Sequence, residues 1–199
     1  MNDLTETEVK ILVADLGALA ARIEAAGGDL ESPRVYERNV RYEDAQQTLS
    51  PQGIVLRLRQ DTRVRLTYKD APRLDQGALT RFEAEVTVDD FDTMDTILRR
   101  LGFAPSVVYE KYRTTYRLGE AEIVLDELPF GNFAEIEASP AVIDGTLAAL
   151  GLADQPRILN SYLGLFTQVK QALGLEVHDL TFANFAGVRV PPEVFGDQG

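Results

Sequence analysis

Hydrophobic and polar residues alternate with period two along eight stretches of this chain: 5–13, 35–43, 54–60, 63–69, 81–88, 107–118, 120–128 and 133–139. Residues i and i+2 of a strand share a face, so each stretch presents one polar and one apolar side. Stretch 63–69, for example, sets Arg63, Arg65, Thr67 and Lys69 against Val64, Leu66 and Tyr68. Mostly short turns separate the stretches, which favours antiparallel pairing. Three of them carry a Glu-x-Glu pair (Glu6/Glu8, Glu83/Glu85, Glu135/Glu137), and each is followed by a helix-like segment with an apolar stripe. Segment 15–26 has Asp15 at the N-cap and Gly27-Gly28 as a stop, 89–101 stops at Gly102, and 139–150 opens on Ser-Pro. A fourth helix is expected over 157–173. The polar, Gly- and Pro-bearing stretch 69–80 reads as a loop, mobile near a site mouth. The chain divides into a body, 1–173, and an irregular tail, 174–199, that packs on it and frays after Pro192.

If the eight strands share one orientation, one sheet face collects Glu6, Glu8, Lys10, Arg57, Arg59, Arg63, Arg65, Lys69, Arg81, Glu83, Glu85, Lys111, Arg113, Asp126, Glu135 and Glu137. The other collects Val9, Ile11, Leu56, Leu58, Val64, Leu66, Phe82, Val86, Ile123, Leu125 and Ile136, which the helices can cover. For any single strand, an open sheet with water on its polar side is a sufficient account. Taken together the faces argue otherwise. They are dense in charge and poor in Ser, Thr and Gln, and they segregate: 54–69 turns only cations to its polar face, 133–137 only carboxylates. That is a cationic wall for an anion and an anionic patch for a cation. Eight antiparallel strands are enough to close a barrel around a small ligand. The predicted fold is therefore α+β, a closed eight-stranded antiparallel barrel or tunnel with a charged interior and helices packed outside.

Composition narrows the chemistry. A net charge of -12 over 199 residues argues against nucleic acid, though not against a small anion held by a local basic site. There is no cysteine and a single histidine, His178, so thiolate chemistry, zinc and histidine acid–base catalysis are not expected. The polar N-terminus and the absence of any apolar run near the ~20 residues of a membrane span point to a cytoplasmic protein, and nothing in the sequence decides between monomer and homodimer. Carboxylates without His or Cys suit Mg²⁺ or Mn²⁺. Many Arg and Lys residues, with neither a P-loop nor a GxGxxG motif, suit a small-molecule polyphosphate gripped by side chains.

These residues resemble a known family. Glu6-Thr7-Glu8-Val9-Lys10 matches the E-x-E-x-K signature of the CYTH superfamily, the triphosphate tunnel metalloenzymes. Leu56-Arg57-Leu58-Arg59, Leu66-Thr67-Tyr68-Lys69, Glu83-x-Glu85, Lys111-x-Arg113, Asp126 in VLDELP, and Gly131 to Glu137 follow in family order. The pattern, with Ser161-Tyr162-Leu163, looks most like the class IV adenylate cyclase-like branch. The resemblance implies a tunnel binding a triphosphate with one or two Mg²⁺ or Mn²⁺. Lys10, Arg57, Arg59, Lys69, Lys111 and Arg113 would grip phosphate, with Lys10, Lys69 and Arg113 also in the catalytic set. Glu6, Glu8, Glu135 and Glu137 would hold metal, and Glu83, Glu85 and Asp126 would bind metal or orient the cations. The reaction implied is ATP to cyclic AMP and pyrophosphate. The alternative is hydrolysis of inorganic tripolyphosphate, thiamine triphosphate or a nucleoside triphosphate, and a non-catalytic polyphosphate or nucleotide binder ranks below both. Arg38 and Arg41 lie where the second strand departs from the family pattern.

Overall fold

The computed structural model describes residues 5–195. The elements run β1 (Thr5–Leu12), α1 (Leu16–Ala25), β2 (Asp29–Glu43), β3 (Val55–Gln60), β4 (Val64–Lys69), β5 (Arg73–Asp75), β6 (Ala78–Val88) and α2 (Phe91–Arg100). They continue with β7 (Ala104–Leu118), β8 (Ala121–Leu128), β9 (Gly131–Glu137), α3 (Pro140–Ala149) and α4 (Tyr162–Leu173). The strands pair in the order β1-β9-β8-β7-β2-β3-β4-β6, and β6 pairs back onto β1 through Thr5↔Phe82 to Glu8↔Leu79. Every pairing is antiparallel, so eight strands form a ring and the three-residue β5 hangs on the edge of β6.

The apolar cores lie outside this ring. Helices α1 and α3 press Leu19, Ile23, Ile143 and Leu147 onto Ile11, Ile123 and Ile136, all nearly inaccessible to water. Helix α2 covers Val40, Tyr42, Leu58 and Val64 with Leu98. Helix α4 and the tail bury Leu165, Phe166, Leu180, Phe185 and Phe195 against Phe130 and Phe133. Each fully buried side chain of this kind contributes about 1.5–3 kcal/mol, which lets the ring keep charges rather than a core inside it. Asp15, the predicted cap of α1, accepts from the Ala18 N–H at 2.9 Å; Asp90 and Ser161 cap α2 and α4, accepting from Thr93 at 2.7 Å and Gly164 at 3.1 Å, whereas Ser139 opens α3 without a side-chain cap bond.

Five sequence expectations are corrected. Helix α4 starts at Tyr162, not 157, because the Ile158 N–H bonds the Lys10 carbonyl at 2.8 Å, which needs extended backbone, and Ser161 then caps the helix. Strand β2 starts at Asp29, reaching past Pro33 through two register shifts. Stretch 69–80 is not a plain loop. Arg73–Asp75 and Ala78 onward form a hairpin whose turn residues, Gln76 and Gly77, both take positive φ (47° and 77°). Fraying does not begin at Pro192: Pro192–Phe195 is a 3-10 turn that buries Phe195, and the rest of the end expected to fray lies outside the described residues. Finally, the helices leave part of the outer face bare, with Phe82, Val86 and Tyr68 exposed on β6 and β4.

Candidate active site

Alternation along the ring strands sends every second side chain inward, around a cavity of about 340 Å³. Its lining includes Glu6, Glu8, Lys10, Arg57, Arg59, Arg65, Lys69, Arg81, Glu83, Glu85, Lys111, Arg113, Glu135 and Glu137. Of the residues singled out by resemblance, only Asp126 is not on this surface; it lies fully buried behind it. Arg63, expected on the inner face, is exposed and instead borders a second cavity of about 310 Å³. That cavity shares Arg59, Arg65, Arg113 and Glu122 with the first.

Three ion clusters hold the interior. In one, Glu6 accepts from Lys69 at 2.7 Å and Arg81 at 3.1 Å, and Lys69 also meets Glu83 at 2.6 Å. Burial opposes ionisation of Glu6, but Lys69, a hydrogen bond with Glu83 and Arg81 together outweigh it and bring the carboxyl down to about 2. In the second, Glu85 takes Arg59 at 3.3 Å, Arg57 at 3.5 Å and the Thr67 hydroxyl at 2.8 Å, while Glu37 faces Arg59 at 3.4 Å and Lys111 at 3.6 Å. In the third, Asp126 is a hub. Arg113 donates to it through Nε at 2.7 Å and Nη2 at 2.6 Å, Lys111 at 2.9 Å, and the Tyr162 hydroxyl at 2.8 Å. Asp126 therefore orients cations, and Glu85 likewise sits among arginines. Lys10 and Arg113 converge on Glu135 at 3.0 and 2.6 Å. Burial would strip the Lys10 ammonium of its proton, but Glu135 and Glu8 push its pKa up and keep it charged.

A hard cation has a different claim on this interior. Strand register sets Glu8 opposite Glu137 and Glu137 opposite Glu122, three carboxylates in a row across β1, β9 and β8. Like charges placed directly opposite one another are destabilising. Glu8 has Arg81 at 3.4 Å and Glu122 has Arg117 at 2.9 Å, whereas Glu137 has no ion partner among the described residues. Burial, then Glu6 and Glu122, push the Glu137 carboxyl up to about 7, and burial with Glu135 raises that of Glu8. All-oxygen donors with unrelieved repulsion fit a divalent cation of the Mg²⁺ or Mn²⁺ kind. No three acidic side chains among the described residues are already drawn together as a cage, so the fit rests on donor type and register.

Several interior residues escaped the sequence reading. Glu37, Asn39 and Arg41 alternate inward on β2, but Arg38 on the outer face blurs the period-two signal. Arg38 stacks outside the ring, 5.4 Å from the centre of the Phe91 ring. Arg41 lines the cavity, as does Tyr109, whose hydroxyl lies 3.3 Å from Arg57. Tyr162 enters from α4, its ring 4.5 Å beneath the Lys10 ammonium. No local pattern could have placed a helix residue in the ring. His178 stands outside, on the Ser106 carbonyl at 2.8 Å.

Comparison with known proteins fits this geometry. The model of a family described as the CYTH domain matches residues 4–149. A protein of Methanocaldococcus jannaschii named "Putative adenylate cyclase" is 25% identical over 174 residues, covering 81% of this chain and 98% of its own. A solved structure of a like-named protein from Vibrio parahaemolyticus superposes with a TM-score of 0.69 at 22% identity, covering 81% of this chain and 97% of that one. Another, from Hippeastrum, has a TM-score of 0.60 at 20% identity and covers 81% of this chain and 95% of that one. It is described as a "Putative adenylyl cyclase" with a dominant triphosphatase activity. No helix among the described residues is long and apolar enough to cross a membrane.

Proposed function

The chain belongs to the CYTH domain family, and from that premise we propose that it is a divalent-metal-dependent enzyme acting on a triphosphate inside the ring. The first reading is ATP to cyclic AMP and pyrophosphate. The observation that carries the proposal is the cavity wall itself. Lys10, Arg57, Arg59, Lys69, Lys111 and Arg113 surround about 340 Å³, a volume suited to a triphosphate, and each of these cations is paired with a carboxylate that fixes its direction.

Phosphoryl and nucleotidyl transfer demand charge stabilisation and in-line placement more than a strong base. Arg57 and Arg59 present guanidinium forks suited to phosphate oxygens, and Lys111 and Arg113 are locked on Asp126, so little ordering is left to be done when substrate enters. Lys10 stays charged in the low-dielectric interior because Glu135 and Glu8 face it, and Lys69 is paired with Glu6 and Glu83. Glu8 and Glu137, with Glu6 and Glu135 beside them, would hold Mg²⁺ or Mn²⁺, which supplies charge neutralisation at the phosphate oxygens. In the cyclase reaction the ribose 3'-oxygen bonds to the α-phosphorus, loses its proton, and pyrophosphate departs.

Hydrolysis of the terminal phosphate by water uses the same wall and is the alternative reading. It is favoured by the triphosphatase activity named for the Hippeastrum protein of the same fold. Incubating the chain with Mn²⁺ and either ATP or inorganic tripolyphosphate separates them. Cyclic AMP and pyrophosphate from ATP are expected for the first reading. Orthophosphate from either compound with no cyclic AMP selects the second, and no turnover of any triphosphate sinks both.

A further inference from the structure

The cavity wall is chemically divided in a way that phosphate recognition does not require. Its charged side chains all stand on ring strands. Apart from Tyr109 within β7, its neutral side chains gather on connections and element ends: Leu159, Ser161, Tyr162 and Leu163 around the start of α4, Val55 opening β3, Pro72 ahead of β5, and Leu79 near the start of β6. A bare polyphosphate gains nothing from apolar neighbours and loses hydration beside them.

Leu159 is the telling residue. It is 42% exposed, joins none of the three apolar clusters, and still lines the cavity. Its position is nevertheless fixed. The preceding residue, Ile158, is buried and hydrogen-bonded to the Lys10 carbonyl at 2.8 Å. Three residues on, Tyr162 is buried and bonded to Asp126 at 2.8 Å. An apolar side chain held rigidly at the edge of a cationic cavity, with no packing role of its own, is a preformed contact for an apolar part of a ligand.

We propose that Leu159 is a specificity-determining residue, seating the organic group of an organic triphosphate against this neutral wall while the strands hold its phosphates. The inference rests on the triphosphate reading above and narrows it to substrates carrying a flat or apolar substituent, a nucleoside triphosphate above all, over inorganic tripolyphosphate. Leu159 itself has no polar side-chain group to engage the phosphate-binding cations, so it can set the substituent without altering the phosphate grip.

Calorimetric titration in Mg²⁺ with ATP and with inorganic tripolyphosphate tests it, comparing the wild-type chain, Leu159→Ser and Leu159→Phe. The expected result is that Leu159→Ser weakens ATP binding about tenfold, the equivalent of about 1.4 kcal/mol, and leaves tripolyphosphate unchanged. Leu159→Phe should retain or tighten ATP binding. Equal losses for both ligands, or no change for either, overturn the proposal. The tripolyphosphate arm separates it from its premise: if neither ligand binds the wild-type chain, the triphosphate reading fails and takes this inference with it.

Discussion

The three Glu-x-Glu pairs look alike in sequence and are unequal in the ring. Glu83 and Glu85 are spent on Lys69 and on Arg57 and Arg59. Glu6 and Glu135 are each held by two cations, which leaves Glu8 and Glu137 as the carboxylates with least compensation. Spacing shows that two carboxylates share a face. It cannot show what stands opposite, because that depends on which strands become neighbours. The Glu8–Glu137–Glu122 row exists only because β1, β9 and β8 are adjacent in this register. It predicts opposite effects on stability and on metal response. Glu137→Gln should raise the melting temperature in EDTA by about 1–2 °C, since relieving a partly exposed like-charge contact is worth about 0.5 kcal/mol. The same variant should lose most of the stabilisation that Mn²⁺ gives the wild-type chain. An unchanged melting temperature in EDTA, together with an intact response to Mn²⁺, would show that the row is neither repulsive nor metal-binding.

At the scale of elements, strands were more legible than their connections. Clean alternation placed the inner faces of β1, β3, β4, β6, β7 and β9. The Gln76-Gly77 hairpin was missed because glutamine lacks the turn signal of asparagine or aspartate. The tail was visible only as scattered phenylalanines, since their partners lie far away along the chain. In the structure it finishes a strand edge. Strand β8 pairs with β7 only from Tyr112 onward, and the vacated edge is taken by Leu180. Leu180 donates to the Val108 carbonyl and accepts from the Glu110 N–H, each at 2.9 Å. Unpaired edges invite aggregation, so this contact protects the ring as well as tying the tail to Tyr109. Phe185 then wedges between Phe130 and Phe166. Phe185→Ala should cost about 3 kcal/mol, a fall of about 6–12 °C in melting temperature. A fall below about 2 °C would mean that the tail rests on the body without stabilising it.

The whole molecule is built inside out, with three apolar clusters outside a charged ring, and its stability therefore depends on the protonation of the interior. Glu37 isolates this dependence because it faces only cations of the phosphate wall. Burial opposes its ionisation, yet Lys111, Arg113 and Arg59 together hold its carboxyl well below the ordinary range. A carboxyl depressed on folding adds stability that is complete above its unfolded value of about 4.3. That stability drains away as the pH falls through the window between the unfolded and folded values, where the unfolded chain takes up the proton first. The melting temperature of the metal-free chain is therefore expected to drop steeply between about pH 4.5 and 3. Glu37→Gln, which cannot ionise, should melt lower than the wild-type chain at pH 7 and show a shallower drop across the same window. If both proteins lose stability in parallel as the pH falls, the acid sensitivity belongs to other carboxylates and Glu37 does not anchor the basic wall.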